Sequence, residues 1–408
     1  MIKSWFKNIG PGPLVAAAFI GPGTVTVCTL AGVNFSFALL WAMVLSVLAT
    51  IVLQEMAARL GVVSQKGLSE VIRSQIHNPV LRILAIILIL SAIVVGNAAY
   101  EAGNISGSIL GLETLFGNQT IELGSLSLNL FSILIGIIAF ILLYIGNYKV
   151  LEKALISLVV FMSLAFLITA LMTRPDLAQV FKGLFIPKIS NDSILTVIAL
   201  VGTTVVPYNL FLHASLVKEK WKNERDLKFA RKDTIVAVVL GGVVSMCIII
   251  SAAAINSSEI NNAADLAKGL EPLFGNYASI FLSVGLFAAG ITSAITAPLA
   301  AAYVASGCLG WSSNMKSKQF RLVWMLILGL GVLFSSIGFK SIEIIKFAQV
   351  ANGLLLPVIA GFLLWVMNKS LLLGVHKNTV LQNVFGFAIL TIAVFLGTKS
   401  ILKVFNII

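Results

Sequence analysis

The sequence Gly21-Pro22-Gly23 lies in the middle of an apolar run that extends without a charged residue from Asn8 to Gln54. A second proline, in Val206-Pro207, interrupts another apolar segment at a similar depth. Proline removes a backbone donor and clashes with the preceding helical turn, so we expect both helices to break there. A simple proline kink is the alternative, because membrane helices tolerate proline. Two breaks at corresponding positions favour a broken-helix site instead.

The composition excludes an ordinary soluble protein. Of the 408 residues, 59% are hydrophobic and only 11% are charged, whereas a soluble domain carries about 25% charged residues. Such a chain cannot cover a water-facing surface, which excludes a soluble enzyme, a disordered protein and a nucleic-acid-binding module. The net charge of +12 fits the excess of Lys and Arg that membrane proteins carry in their cytoplasmic loops.

The apolar segments predict eleven helical transmembrane spans. The spans fall near residues 12–32, 36–60, 82–113, 128–146, 154–173, 193–217, 234–255, 273–306, 321–338, 343–367 and 378–398. Basic residues concentrate in the loops on one side, so we expect the N-terminus in the cytoplasm and the C-terminus outside. The sequence therefore predicts an all-α, multi-pass protein of the cell (plasma or inner) membrane.

Four segments carry recognisable motifs: Gly10–Thr24, Gln54–Arg73, Val201–His213 and Ala348–Pro357. They resemble segments of the Nramp family of divalent-metal transporters. The run Gly10–Thr24 is similar to the family's first helix, which reads Asp-Pro-Gly-Asn at its break. Gln54–Arg73 resembles the second helix and the loop after it. Val201–His213 is similar to the sixth helix, which contains Met-Pro-His-Asn, and Ala348–Pro357 is similar to the tenth.

The resemblance implies a leucine-transporter-type fold. Such a fold has two inverted five-helix repeats, here spans 1–5 and 6–10, plus one extra helix, and spans 1 and 6 are broken at the membrane midplane. The single transmembrane domain at 1–408 then contains repeat one at about 10–175, repeat two at about 190–367 and the extra helix at about 378–398.

The sequence departs from the family at the metal site that the resemblance implies. The family's ligands are the Asp and Asn of the first break and the Met of the second, and here those positions are Gly21, Thr24 and Val206. The family's His after the second proline is Tyr208. Burying a divalent ion at the midplane without a negative ligand is costly. We therefore expect the fold to carry over without divalent-metal transport.

A small anion is the substrate that this altered site predicts. Two half-helices begin at the breaks, and helix N-termini carry partial positive charge and unpaired N–H groups. Bicarbonate, compact and singly charged, is the first candidate, and it would be imported by alternating access. The predicted substrate-binding residues are Gly21, Gly23, Thr24, Val206, Tyr208, Asn209 and Gln349.

Three other functions remain open. A small neutral or zwitterionic solute also suits a site without fixed charge. A proton-coupled transporter of manganese, iron or magnesium with a rebuilt site is the alternative that keeps the family's activity. A non-transporting sensor that kept the fold is the hypothesis from a different class.

Sodium is the expected coupling ion. In sodium-coupled members of this fold, a hydroxyl pair on span 8 and carbonyls at the first break hold the ion. Thr292 and Ser293, with carbonyls near Ala18 and Gly21, are the matching candidates. Ser and Thr also commonly mediate helix packing in membranes, which is the alternative. No other cofactor and no transition-metal site are expected.

Proton coupling is the rival to sodium coupling. Glu101 lies deep in span 3, and an intramembrane carboxyl group is a functional candidate by default. By resemblance it matches an Asp of the Nramp proton route, whose usual partner on span 9 is here Arg321. The family's Glu three residues later is Asn104, which weakens such a route, so a structural Glu101–Arg321 pair is the alternative. His213 also matches a family His, and it is a candidate for the inner exit path or for packing.

The chain carries no enzyme motif. Phosphate-binding loops, zinc-protease helices and nucleophile elbows are missing from the sequence, so no catalytic residue is predicted. The expected partners are a small anionic solute and the lipid bilayer, without nucleic acid, and a monomer can suffice.

Overall fold

The computed structural model describes residues 20–123, 126–146, 149–255, 260–337 and 339–404. Its helices are α1 (Pro22–Phe35), α2 (Leu40–Ser64), α3 (Leu68–Gln75), α4 (Pro79–Phe116), α5 (Leu130–Ile145), α6 (Lys149–Met172), α7 (Leu177–Phe185), α8 (Ile194–Thr204), α9 (Pro207–Lys220), α10 (Leu227–Ala252), α11 (Ala263–Ala267), α12 (Glu271–Phe274), α13 (Ala278–Leu309), α14 (Lys318–Ser336), α15 (Ser341–Met367), α16 (Ser370–Leu373) and α17 (Val380–Val404). Short 3-10 turns lie at Glu224–Asp226, Lys268–Leu270, Gly275–Tyr277 and Gly374–His376.

Nine helical stretches in the described ranges are long and apolar enough to cross a bilayer. Helix α5 is apolar but shorter, and α1 is the second half of span 1, whose first half lies outside the described residues. Together these helices account for the eleven predicted spans and confirm the all-α membrane class. Helix α4 has 38 residues. At 1.5 Å per residue it is about 57 Å long, well beyond the ~30 Å of bilayer hydrocarbon.

The predicted break in span 6 is present, and at the position predicted for span 1 a helix begins. Helix α8 ends at Thr204, and α9 begins at Pro207. Helix α1 begins at Pro22, directly after Gly21 in extended backbone (φ −92°, ψ −179°). Proline suits the first helical position because the N–H that it lacks would have no acceptor within the helix.

Small residues bring α4 close to its neighbours. A methyl group at Gly107 would overlap the ring of Pro22, which places the first break against the middle of α4. A methyl group at Gly103 would lie 2.9 Å from Cβ of Ala348 on α15. Such close approaches are typical of helix association in membranes, where the hydrophobic effect between helices is weak. Helix α4 thereby positions both α1 and α15.

One small hairpin lies before α5, and its last two residues fall where the fourth span was predicted to begin. Strands β1 (Thr120–Leu123) and β2 (Leu126–Asn129) pair antiparallel, with Thr120 opposite Asn129. Leu128 also forms a β-bridge with Ile337 at the end of α14. The alternation of apolar and polar residues in both strands is typical of such a ribbon.

Candidate functional site at the helix breaks

One residue of α15 contacts both broken spans. Gln349 is buried, and a methyl group at Gly23 would overlap its side-chain amide. A methyl group at Gly202 on α8 would overlap its backbone carbonyl. The side chain of Gln349 therefore covers the first turn of α1, while its backbone packs on the last turns of α8.

A pair of hydroxyl groups joins the two broken spans directly. Thr24 Oγ1 on α1 lies 2.8 Å from Thr203 Oγ1 on α8, and both side chains are buried. Thr24 was a predicted substrate residue, whereas Thr203 was not singled out. Its signal would have been its position three residues before the second break.

Several buried amide atoms at the breaks have no hydrogen-bond partner in the described part of the chain. They are both side-chain atoms of Asn209 at the start of α9 and Gln349 Oε1 on α15, while Asn352 Nδ2, one turn further along α15, is likewise unpaired. Asn209 is 0% exposed. Buried polar groups are almost always paired, and one left unpaired costs about 1–3 kcal/mol. The open atoms indicate that a polar ligand or ordered water belongs at the breaks.

Asn352 was not predicted as a site residue. It lies one turn after Gln349 on the same face of α15, and this spacing of two amides was the signal that could have identified it.

The second break presents two kinds of helix end. Helix α9 begins at Pro207 with N–H groups, but α8 ends at Thr204, where the last carbonyl groups have no partner within the helix. A helix C-terminus carries partial negative charge. A positive field was expected from the N-termini alone, and the carbonyl end of α8 offsets it.

Val206 and Tyr208 flank the second proline in different ways. Val206 is buried, and its carbonyl accepts the Asn209 N–H at 3.1 Å, while its side chain offers no ligand atom. The ring of Tyr208 packs edge to face on Tyr100 of α4, with centroids 5.3 Å apart. Tyr208 thus closes this break against α4.

The predicted pair between Glu101 and Arg321 is not formed. Glu101 is buried, accepts a 3.4 Å hydrogen bond from Asn104 Nδ2, and would overlap a methyl group at Gly331 on α14. Arg321 precedes Gly331 by about three helical turns, roughly 15 Å along the axis. Its guanidinium lies 4.2 Å from the ring centroid of Tyr144 on α5. The pairing prediction is wrong because the two side chains lie at different depths.

His213 bridges three helices. Its Nδ1 lies 2.6 Å from Gln54 Oε1 on α2, and its Nε2 lies 3.5 Å from Thr234 Oγ1 on α10. The side chain is buried. These contacts fit the packing alternative, and a role on the exit path stays a prediction.

The candidate sodium residues differ in their bonding. Thr292 Oγ1 donates within its own helix, 2.7 Å from the Ala288 carbonyl and 2.9 Å from that of Ala289. Ser293 Oγ is buried without a partner among the residues described. Ala18 lies outside the described residues. The Thr292 hydroxyl is thus satisfied within its own helix, and sodium binding at Thr292 and Ser293 stays a prediction.

Across the ranges that the structure covers, no three His, Cys, Asp or Glu residues cluster so that they could hold a metal ion. The ligand atoms that the breaks offer are amide, hydroxyl and carbonyl groups. This set is neutral and contains no sulfur at the predicted positions.

The chain is similar to named metal transporters over almost its whole length. It is 26% identical to the divalent metal cation transporter MntH of Staphylococcus haemolyticus (strain JCSC1435), over 99% of this chain and 93% of that protein. It is 30% identical to the metal transporter Nramp1 of Populus trichocarpa, over 98% of this chain and 77% of the relative.

Solved structures show the same fold. The Eremococcus coleocola manganese transporter, in complex with an aromatic bis-isothiourea substituted compound, superposes with a TM-score of 0.77 at 23% identity, over 98% of this chain and 87% of that one. MhsT in complex with L-phenylalanine gives a TM-score of 0.61 at 15% identity, over 96% and 98% of the two chains. These likenesses confirm the leucine-transporter-type fold. The repeat boundaries stay predictions.

The relatives' names contradict import of a small anion. Both named relatives are metal transporters, so the prediction of bicarbonate as substrate and partner, and of sodium-driven anion uptake, is wrong. The anion prediction considered only the partial positive charge of the helix N-termini and left out the partial negative charge at the carbonyl end of α8. It also required full dehydration of a cation, although a protein-bound cation can keep water ligands.

A family model described as natural resistance-associated macrophage protein-like matches residues 12–403. The match includes both breaks and all eleven predicted spans. Its relatives are transporters, and the chain is accordingly not an enzyme. The chain belongs to the Nramp family of multi-pass membrane transporters.

Proposed function

We propose that this protein carries a divalent metal cation across the membrane by alternating access, with the cation bound between the breaks of spans 1 and 6. The names of its relatives support this activity. One observation carries the placement of the site: Asn209 Oδ1 and Gln349 Oε1 are buried at the breaks without a partner in the described chain. An amide oxygen is only an acceptor, so a cation or a water bound to it satisfies it.

A neutral set of oxygens suits a cation that keeps part of its water shell. Mg²⁺ dehydrates reluctantly and usually retains several waters when a protein binds it. The retained waters can donate to the amide oxygens and to the carbonyl groups at the end of α8. The charge of the ion is then shared by its own waters and by oriented dipoles, without a carboxylate at Gly21.

The same ligand set predicts which cations are preferred. Thioether and thiolate ligands select soft metals, whereas carbonyl and water ligands suit Mg²⁺ and Mn²⁺. Val206 replaces the thioether that the family resemblance implies at the second break. We therefore expect transport of Mn²⁺ or Mg²⁺ with weak competition by Cd²⁺.

The orientation of the two termini across the membrane is part of the same proposal. Basic residues in alternate loops favour a cytoplasmic N-terminus and an external C-terminus in the cell (plasma or inner) membrane. Coupling to protons would involve Glu101, which lies beside Asn104 on α4. In that case Glu101→Gln would remove the dependence of uptake on a pH gradient.

Uptake of Mn²⁺ into proteoliposomes that contain a metal-sensitive dye tests the proposal. We expect the wild type to take up Mn²⁺ and Asn209→Ala to lose about tenfold or more of the rate, because a hydrogen bond to a charged ligand is worth about 1.5–3 kcal/mol. Gln319→Ala, an exposed position at the start of α14, is the matched control and should transport normally.

Two results would contradict the proposal. Wild-type vesicles that take up neither Mn²⁺ nor Mg²⁺ above empty vesicles would exclude divalent-cation transport. Uptake that survives Asn209→Ala unchanged would exclude the site at the breaks while leaving the activity in place.

A further inference from the structure

Arg321 is a cationic side chain that the transport site does not use. It lies in the first turn of α14, and its guanidinium covers the ring of Tyr144 in the last turn of α5. The loop before α14 approaches the same end of α5, since a methyl group at Gly146 would lie 3.9 Å from Cε of Met315. The end of α5 and the start of α14 thus form one continuous surface.

This surface is positively charged, and the described residues form no ion pair with its cations. Lys318 lies one turn before Arg321 and is exposed, as is Lys316 in the preceding loop. Residues 130–146 and 310–337 contain no Asp or Glu. In the described chain no carboxylate lies within 4.0 Å of Arg321. The guanidinium is partly buried, so its charge is only partly satisfied by bulk water.

An apolar face begins directly beside these cations. Phe140 is stacked on Tyr144, with centroids 6.0 Å apart, and is 40% exposed. Leu322 and Leu326 on α14 are 67% and 53% exposed. Both helices belong to membrane spans, so these side chains face acyl chains. Cations at the rim of an apolar, lipid-facing groove match a molecule with a phosphate head and a hydrocarbon tail.

We propose that Phe140, Tyr144, Lys318 and Arg321, which we call the α5–α14 surface, bind an anionic phospholipid. The planar guanidinium of Arg321 recognises phosphate through paired N–H groups at its edge, and the ring of Tyr144 holds the group in place by contact with one of its faces. Lys318 adds a second positive charge, and basic sites between transmembrane helices are known to bind anionic head groups. The proposal does not depend on the identity of the transported ion.

Thermal unfolding of the full-length protein in detergent tests this surface. We expect phosphatidylglycerol to raise the unfolding temperature of the wild type more than phosphatidylcholine does. The double variant Lys318→Gln/Arg321→Gln should lose most of this difference. Lys340→Gln removes an exposed charge at the far side of the membrane span, before α15, and should keep it.

Two further arms of the experiment distinguish a bound lipid from a free phosphate and from a misfolded variant. Glycerol phosphate carries the head-group charge without acyl chains, and we expect it to leave the unfolding temperature unchanged. Lys318→Gln alone alters an exposed side chain, so it remains informative if the double variant fails to fold, and it should reduce the phosphatidylglycerol response in part.

The proposal is overturned if Lys318→Gln and the double variant respond to phosphatidylglycerol as the wild type does. It is also overturned if glycerol phosphate produces the same rise, because the ligand is then a free phosphate. If phosphatidylglycerol and phosphatidylcholine raise the unfolding temperature of the wild type equally, the surface does not recognise the negative charge of the head group.

Discussion

Two clusters of buried polar side chains lie at different depths of this transporter, and they are bonded very differently. At the breaks, Asn209 and Gln349 leave side-chain atoms without partners in the part of the chain described. Around Arg59 on α2, the terminal nitrogens donate to the His376 carbonyl at 2.7 Å, to Glu55 at 3.0 Å and to Asn378 at 2.8 Å.

The polar groups of the Arg59 cluster are paired almost entirely with one another. The other carboxylate oxygen of Glu55 accepts a hydrogen bond from Arg231 Nε on α10 at 2.7 Å. Only Arg59 Nε lacks a partner there among the described residues. The cluster therefore fastens α2 to α10 and to the loop before α17. Arg59, Asn209 and Gln349 are equally buried, and they differ in how many of their side-chain atoms are paired.

Arg59→Met tests the structural side of this comparison and should have the largest effect. Glu55 keeps its pair with Arg231, but the His376 carbonyl and Asn378 Oδ1 lose their donor, and each buried group left unpaired costs about 1–3 kcal/mol. We expect a large drop in unfolding temperature in detergent. Arg231→Met is the control: its side chain is 41% exposed, so its loss should cost clearly less. Equal losses for the two variants would show that burial of Arg59 does not set the strength of the cluster.

Gly23→Ala tests the binding side. The added methyl group overlaps the end of the flexible Gln349 side chain, which can move away from the first break at little cost in stability. We expect an unchanged unfolding temperature and a loss of about tenfold in Mn²⁺ uptake, equivalent to roughly 1.4 kcal/mol. A methyl group added at Gly329 would have no other atom within 4 Å, so Gly329→Ala is the control. Normal uptake by Gly23→Ala would remove Gln349 from the site.

Thr24→Val asks whether the hydroxyl pair belongs to the structure or to the substrate. Loss of the bond to Thr203 should destabilise the protein by about 1 kcal/mol. Thr203→Val should do the same, and the double variant should cost less than the sum, because one bond is lost in all three. Unfolding temperatures provide the comparison. Strictly additive losses would show that the two hydroxyl groups act independently.

The pair between Glu70 on α3 and Lys218 on α9 should matter least. The charged atoms are 3.0 Å apart, but both side chains are partly exposed, by 32% and 22%. Exposed pairs contribute about 0.2–1 kcal/mol. We expect Glu70→Gln to change the unfolding temperature only slightly, and less at high salt than at low salt. A loss as large as that of Arg59→Met would place this pair among the structural joints.

Much of the fold was predictable because its signals are local. The prolines at 22 and 207 each start a helix because of their own chemistry, and the apolar runs around them are long enough to define spans. Gln349 was also predictable as a polar residue in the middle of an apolar span.

Contacts between distant helices were not predictable. The Thr24–Thr203 pair and the Gln54–His213 contact depend on how whole helices are rotated and aligned. Arg321 could be placed on span 9 but not at its depth, and so it was assigned to Glu101 instead of Tyr144. The charge of the substrate was misjudged for a related reason: every residue type has the same backbone carbonyl group, so a sequence does not show which carbonyls a helix end leaves open.

The position of Gln349 has a mechanical consequence. Its side chain rests on α1 and its backbone rests on α8, so α15 touches one half-helix from each broken span through a single residue. A shift of α15 by the width of a methyl group would loosen both contacts together. Movements of the two broken spans are therefore coupled through Gln349, and release of the proposed cation would require both spans to move together.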